Sequence, residues 1–246
     1  MAGVFGSGAY TCKAKKMARN RSLIKLEGTI GATTFVNSKR YKPHARSRRG
    51  TYKEARVNAV LHSQSTIAKA ITATGSPILK QLKAVESGFA SADLWQRMMA
   101  LMLKTRCTDK AKLLDAVQGL ELNERYSFSK FFAAMPSLSF SVKKSKLLVE
   151  MKLLSHAEVD SSRTPACYLC EVNILFLHAN GKCEMDVIET EWISLEESPG
   201  AYDMVFEKPA GAKYFLVVLG VKAGADNTAF ERFDARGYRI SDWGKC

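Results

Sequence analysis

The spacing of apolar residues divides the chain into a helical segment followed by a segment of strands. Between residues 51 and 119 apolar side chains recur at helical spacing, which predicts four helices joined by short linkers. The first begins at the capping box Thr51-Tyr-Lys-Glu54, and the second begins at Ser76-Pro77, because proline suits the first turn of a helix. The third begins at Ser91 and the fourth at Thr108. Together they predict a small helical bundle.

After Leu120 the apolar pattern changes from the period of helices to that of strands. Asn180-Gly181 is a strong signal for a two-residue hairpin between two long strands. Because no helical pattern separates the strands, they are expected to pair as an antiparallel β-sandwich. The predicted strands cover residues 137–142, 146–151, 166–179, 182–195, 202–206, 214–221 and 238–243.

The first 50 residues follow neither pattern. Residues 23–27 and 32–36 alternate like strands around Gly28-Thr-Ile-Gly31, which predicts a short β-hairpin. Residues 1–22 show no period and are interpreted as an extended arm, and residues 37–50 form a second basic stretch without an apolar face. The predicted class is therefore α+β, with a basic arm and hairpin at 1–50, a helical domain at 51–125 and a β-sandwich domain at 126–246.

Two motifs are similar to a known family. The first is Ile24-Lys-Leu-Glu-Gly-Thr-Ile-Gly-Ala-Thr-Thr-Phe35, and the second is Leu120-Glu-Leu-Asn-Glu124 at the end of the helical segment. Together they resemble uncharacterised proteins of Bacteroidetes-type bacteria, which have a K-L-x-G-T-I-G-x-x-T-F opening, a helical middle and a β-rich C-terminal half. The resemblance covers about residues 22–130, and this chain is more basic than the family pattern at 37–50. It implies an architecture but no activity.

Positive charge is concentrated at the start of the chain. Residues 1–56 contain fourteen Lys and Arg against two acids, so they carry +12 of the chain's net +13. The other 190 residues are almost balanced. A segment of this charge is expected to meet nucleic acid, a membrane surface or an acidic face of another copy.

An acidic segment favours the last of these partners. Residues 184–207 contain eight acids and no Lys or Arg, which is either a solvated strand face or a docking surface for the basic arm of a neighbouring copy. The docking interpretation predicts a structural subunit that assembles head-to-tail into a filament, tube or shell. The hairpin edge would extend a neighbour's sheet. The residues predicted for assembly are Leu23, Ile24, Leu26, Thr29, Ile30, Phe35, Glu189, Glu191, Glu196 and Glu197.

The alternative is a nucleic-acid-binding protein that uses the basic region, alone or within such an assembly. The chain contains no helix-turn-helix, RNA-recognition or zinc-finger motif, so DNA or RNA would be bound without sequence preference. The residues predicted to bind a polyanion are Lys13, Lys15, Lys16, Arg19, Arg21, Lys39, Arg40, Lys42, Arg46, Arg48 and Arg49.

Catalytic and metal-binding chemistry is not indicated. The four histidines lie on different predicted elements, and no phosphate-binding loop or nucleophile motif is present. Cys167 and Cys170 would point to opposite faces of one strand, so they are interpreted as structural thiols. The sequence therefore predicts no enzyme, cofactor or metal. No apolar run has the length of a membrane span or a signal peptide, which predicts a cytoplasmic protein.

Overall fold

The structure is a computed structural model that describes residues 18–19, 27–30, 33–36, 44–47, 59–159 and 166–246. The chain divides into two compact units, the N-terminal unit (1–57) and the C-terminal unit (58–246). Strands outnumber helices, and all strand pairs between named elements are antiparallel in the described residues. The α+β class is confirmed. None of the described helices combines the length and apolar character needed to cross a membrane.

The N-terminal unit contains a four-stranded sheet in the order β1-β4-β3-β2. Its strands are β1 (Ala18–Arg19), β2 (Gly28–Ile30), β3 (Thr33–Val36) and β4 (His44–Ser47). The hairpin is present, but its turn lies after Ile30 rather than at 28–31, because Ile30 already pairs with Thr33.

The sequence predicted no strands in the two basic stretches of this unit, but the structure has one in each. Residues 18–19 and 44–47 form strands that pair with each other, and 44–47 also pairs with the hairpin. Backbone hydrogen bonds alone can add such a segment to a sheet, so the lack of an apolar face did not exclude strands there. The other residues of the predicted arm lie outside the described residues.

Where the structure describes the chain, the C-terminal unit begins with three α-helices, whereas four were predicted over 51–119. They are α1 (Ala59–Val85), α2 (Leu94–Lys104) and α3 (Lys110–Asp115). Asp109 caps α3, since its carboxylate accepts a hydrogen bond from Ala111 N at 3.0 Å. The capping box predicted at Thr51 lies outside the described residues.

The predicted break at Ser76-Pro77 is wrong, because α1 continues through Pro77. Ile71, Ile78 and Leu82 form one buried stripe that extends across the proline, and this packing holds both halves in line. The carbonyl that loses its donor belongs to Ala73, four residues earlier, which is exposed and can bond to water. Tertiary packing therefore overrides the local signal.

Two long strands form the middle of a six-stranded sheet, here called the large sheet. They are β7 (Ala166–His178) and β11 (Ala212–Ala225), and they pair along almost their whole length. On the far side of β7 lie β8 (Cys183–Glu189) and β9 (Ile193–Ser194). On the far side of β11 lie β12 (Thr228–Ala229) and β13 (Arg236–Lys245).

A second sheet, the small sheet, has the order β10-β6-β5. It contains β5 (Ser137–Lys143), β6 (Lys146–Lys152) and β10 (Ala201–Glu207). The predicted strand over 182–195 is split into β8 and β9. The Asn180-Gly181 hairpin is present, but its loop has three residues, because His178 N bonds to Lys182 O and Gly181 has φ +85.

Two hydrophobic clusters lie on opposite faces of the large sheet. One joins Val172, Ile174 and Phe176 of β7 to Leu147 and Val149 of the small sheet. The other joins the opposite face of the large sheet, including Leu175, Val218 and Ile240, to α1, α2 and α3. This packing explains why β7 is buried along all but its last residue. Met98 and Met102 of α2 are buried in the helical cluster.

Candidate assembly surfaces

The outer edge of the described N-terminal sheet is β2, which carries two of the residues predicted for assembly. Ile30 is 65% exposed, and Thr29 is exposed. Thr29 Oγ1 lies 3.1 Å from Thr34 Oγ1 on β3, a cross-strand pair that fixes the register of the hairpin. Phe35 is half-buried on β3. The remaining predicted residues of the hairpin, Leu23, Ile24 and Leu26, lie outside the described residues.

Two of the residues predicted to bind a polyanion lie in described strands. Arg19 is in β1, opposite His44, and Arg46 is in β4, opposite Thr34. The pairing of β1 with β4 therefore brings the two basic stretches of the sequence into adjacent strands. The other predicted positions lie outside the described residues: Lys13, Lys15, Lys16, Arg21, Lys39, Arg40, Lys42, Arg48 and Arg49.

The eight acids of 184–207 do not form one face. Strand alternation places Glu189 on the helical side of the large sheet, whereas Glu184 lies on the opposite side. Three of the eight acids are paired within the chain. Glu184 Oε1 lies 2.7 Å from Lys182 Nζ, and the hydrogen bond from Lys182 lowers the pKa of Glu184. Glu189 pairs with Lys222 at 2.9 Å and Glu207 with Lys146 at 3.6 Å.

Glu191, Glu196 and Glu197 remain exposed and have no ion pair among the described residues. They flank β9, which pairs with Cys167 and Tyr168 at the beginning of β7. We call these three acids the acidic end. Glu196 N bonds to Ser194 Oγ at 3.2 Å and Glu197 N to Ser194 O at 3.3 Å, so a defined turn holds the last two carboxylates next to each other.

A buried polar network lies near the acidic end, and sequence reasoning missed it. Glu171 is 2% exposed and Asn173 is fully buried, both on the helical side of β7. Lys222 Nζ lies 2.8 Å from Glu171 Oε2 and 2.9 Å from Glu189 Oε1. Asn173 Nδ2 donates to Glu171 Oε1 at 2.8 Å. The available signal was that Glu171 and Lys222 interrupt two otherwise apolar strands.

Tyr238 extends this network to the helices. Its hydroxyl lies 3.1 Å from Glu171 Oε2 and 3.3 Å from Glu86 Oε2, just beyond the end of α1. Arg236 NH1 donates to Glu86 Oε1 at 2.7 Å. The network thus connects α1 to the large sheet, at the end of the sheet where the acidic end lies.

The protonation states in this network favour a structural role. Burial raises the pKa of Tyr238, and the charges of Glu171 and Glu86 raise it further, so its hydroxyl stays protonated. Burial alone would lower the pKa of Lys222, but hydrogen bonds to Glu171 and Glu189 outweigh burial and raise it. Each carboxylate is engaged by donors of the protein itself, so the network can join layers but offers no free base.

The cysteines of the predicted thiol pair lie on opposite sides of β7, as strand alternation requires, and both are buried. Burial raises the pKa of Cys170 to about 12, and it raises the pKa of Cys183 to about 12 as well. Such thiols are poor nucleophiles and poor metal ligands at neutral pH. No group of three or more His, Cys, Asp and Glu within the described ranges could hold a metal ion.

The Leu120–Glu124 motif has a structural explanation. Glu121 accepts hydrogen bonds from Phe128 N at 2.8 Å and Ser129 N at 3.2 Å, and so caps the short 3-10 turn Phe128–Lys130. Asn123 Nδ2 donates to Phe89 O at 2.8 Å, and Glu124 lies 3.3 Å from Arg97 NH1. The motif therefore joins the helices to the β-rich part of the unit.

Comparisons with known proteins add no relative. No protein-family model matches the chain, and neither a curated protein nor a solved structure matches it significantly.

Proposed function

We propose that this protein is a structural subunit that assembles head-to-tail into a filament, tube or shell. In this assembly the basic N-terminal unit of one copy meets the acidic end of its neighbour. The observation that carries the proposal is that the charge boundary coincides with the unit boundary: residues 1–57 carry +12, whereas 58–246 carry +1. A compact unit of this charge needs an anionic partner.

The acidic end suits this partner role. Glu191, Glu196 and Glu197 are exposed and unpaired in the described part of the chain, whereas Glu189 is engaged by Lys222. Binding of the first three therefore breaks no internal ion pair. The β2 edge, with Ile30 exposed, offers backbone groups for strand addition to a neighbouring sheet.

We also infer that the large and small sheets stack as a β-sandwich and that α1, α2 and α3 form a small bundle against it. The shared hydrophobic clusters support this architecture. A rigid C-terminal unit of this kind would hold the contact surfaces in a fixed arrangement, so that every copy joins the next with the same geometry.

The first test reverses the three charges of the acidic end. The parent chain is expected to form large oligomers, and E191K/E196K/E197K is expected to sediment as a 27.2 kDa monomer with unchanged circular dichroism. The matched control D186K/D203K reverses two exposed acids in the middle of the sheets and should assemble like the parent. Normal assembly of the triple variant would contradict the proposal.

The second test removes residues 1–22. We expect a folded protein that no longer assembles, since the C-terminal unit has its own hydrophobic clusters. Light scattering measures the loss. An unchanged oligomer after the deletion would exclude residues 1–22 as the contact.

A second candidate function is nonspecific binding of nucleic acid. The observation that favours it is the pairing of β1 with β4, which places Arg19 and Arg46 in adjacent strands. If the basic residues of 39–49 neutralise about five or six phosphates, log affinity should fall with log salt at a slope of about −4.5 to −5.4 on duplex DNA. The six residues to neutralise are Lys39, Arg40, Lys42, Arg46, Arg48 and Arg49.

This candidate is tested by the salt dependence of binding. Neutralising these six residues should flatten the slope and leave the circular dichroism of the helices unchanged. An affinity that does not respond to salt, or a strong preference for one sequence, would contradict the mechanism.

A further inference from the structure

The C-terminal unit is nearly neutral, but a group of unpaired acids and a group of unpaired lysines lie at opposite ends of the large sheet. The acidic end lies where β7 begins and β11 ends. Three cations at that end are engaged within the chain, Lys222 with Glu171, Arg236 with Glu86, and Arg232 with Asp234, whereas the exposed Lys152, opposite Ala201, has no ion pair among the described residues. The exposed carboxylates therefore dominate the charge of this end.

The opposite end of the large sheet, where β7 ends and β11 begins, is basic. A cavity of about 460 Å³ lies there, lined by Lys110, Ala179, Lys213, Tyr214, Lys245 and Cys246. We call it the lysine pocket. Its lysines come from the beginning of α3, the beginning of β11 and the end of β13, so they are distant in sequence. The register shifts between Ala212 and Tyr214, which marks a β-bulge at Lys213. A bulge bends the strand locally and changes the direction of the bulged side chain.

The lysines of this pocket have no acidic partner among the described residues. Within the described ranges, Lys110 Nζ donates to the Ala179 carbonyl at 3.4 Å. Burial raises the pKa of the Cys246 thiol, and the charge of Lys208 opposes that rise, which places a fourth lysine nearby. Ammonium groups gathered around one concavity repel each other, so the pocket favours an anionic occupant.

Two acids at this end are engaged within the chain, and the exposed Asp115 accepts a hydrogen bond from Trp243 Nε1 at 3.4 Å. The Asp109 carboxylate accepts from Ala111 N, and Glu184 is bound to Lys182. The acidic end thus has unpaired carboxylates, and the lysine pocket has unpaired ammonium groups. The two ends are separated by the length of β7, whose 13 residues span about 40 Å. One copy therefore cannot bring its own acidic turn to its own lysine pocket.

We infer that the lysine pocket receives the Glu196-Glu197 turn of a second copy, so that the C-terminal units stack head-to-tail along their strands. This inference rests on the proposed function and names a second acceptor for the same acidic end. The turn fits the pocket because hydrogen bonds to Ser194 hold two adjacent carboxylates on an exposed loop. The contact is heterologous, and repeating it generates an open chain or a ring.

The test is a charge swap in the full-length chain, measured by sedimentation velocity at low salt. K213E/K245E and E196K/E197K should each lower the association constant at least tenfold. Combining all four substitutions should associate at least tenfold more strongly than E196K/E197K, because both partners of this contact have exchanged sign, although the contact of the acidic end with the basic N-terminal unit stays broken. The matched control K80E/K83E reverses two exposed lysines of α1 and should associate like the parent. Thermal melting of every variant checks that it is folded.

The outcomes separate this inference from the proposed function. If E196K/E197K dissociates the assembly but K213E/K245E does not, the lysine pocket is not the acceptor, and the basic N-terminal unit remains the partner. If both variants dissociate it and the combination fails to restore it, the two surfaces do not meet, and the inference is overturned. Parent-like association of both variants, or a monomeric parent, would overturn the inference and the proposed function together. Loss of bound RNA in K213E/K245E without loss of association would assign the pocket to a nucleic acid instead.

Discussion

Gly220 lies directly beneath the aromatic ring of Tyr238 on the neighbouring strand. The two residues are in register between β11 and β13, and a Cβ at position 220 would collide with the ring and lie 3.1 Å from the Cβ of Glu171. The absence of a side chain at 220 lets the ring cross the β11 backbone. The Tyr238 hydroxyl can therefore reach Glu171 on one side and Glu86 on the other.

Replacing Gly220 by alanine should destabilise the protein. The new methyl group must displace the Tyr238 ring, and we expect a loss of about 1 to 3 kcal/mol in the free energy of unfolding, measured by urea denaturation. Gly200→Ala is the control, because its Cβ would meet Tyr202 at 3.8 Å, an ordinary contact, and should cost less than about 0.5 kcal/mol. Equal stabilities of the two variants would contradict this account.

Replacing Tyr238 by phenylalanine removes the donor shared by two carboxylates. Glu171 and Glu86 retain their other partners, so the expected loss is about 1 to 3 kcal/mol in the free energy of unfolding. The control is Tyr214→Phe, since the Tyr214 hydroxyl makes no hydrogen bond to another described residue. A Tyr238→Phe protein as stable as the control would show that the network contributes nothing to stability.

Stability should fall at alkaline pH. Burial raises the pKa of Tyr238, and the carboxylates that bind Lys222 raise the pKa of that residue, so both groups bind protons more tightly in the folded state. Their contribution is complete below their unfolded pKa values, about 10 for Tyr and about 10.4 for Lys, and is lost as pH rises above them. Urea denaturation at about pH 9 and about pH 11 should show this decline, with a smaller slope in Tyr238→Phe. A stability independent of pH over this range would refute the prediction.

The buried thiols should resist alkylation. In native protein at neutral pH, iodoacetamide should modify the partly exposed Cys107 well before Cys170 and Cys183, whose pKa values burial raises to about 12. Mass spectrometry of peptides measures the order, and denatured protein, in which all sites should react at similar rates, is the control. Fast native labelling of Cys170 would mean that β7 opens readily.

Sequence patterns predicted the β-rich part of the fold well. Strand patterns placed β5, β6, β7 and β10 within one residue of their observed bounds, because buried and exposed positions alternate or form continuous apolar runs, whereas β11 extends six residues beyond its predicted range of 214–221. Local signals failed where tertiary packing decides. Pro77 predicted a helix start, yet the buried stripe from Ile71 to Leu82 keeps α1 continuous.

The candidate site was less predictable than the fold. Acids that are close in sequence lie in different environments, because of strand alternation and the break between β8 and β9. Glu184 pairs with Lys182, Glu189 pairs with Lys222, and Glu196 is exposed. The lysine pocket had no sequence signal, because Lys110, Lys213 and Lys245 meet only through the pairing of β11 with β13 and the position of α3. Long-range pairing of this kind is not encoded in any short window.

The burial of β7 on both faces has a consequence for synthesis. Its partner β11 begins 34 residues after β7 ends, so the ribosome releases a mostly apolar strand well before its main neighbour exists. At about 5 to 20 residues per second, this strand waits for several seconds with β8 as its only long partner. During that interval it is the segment most prone to aggregate, and slower translation or lower temperature would change the yield of folded chain by changing the length of that wait.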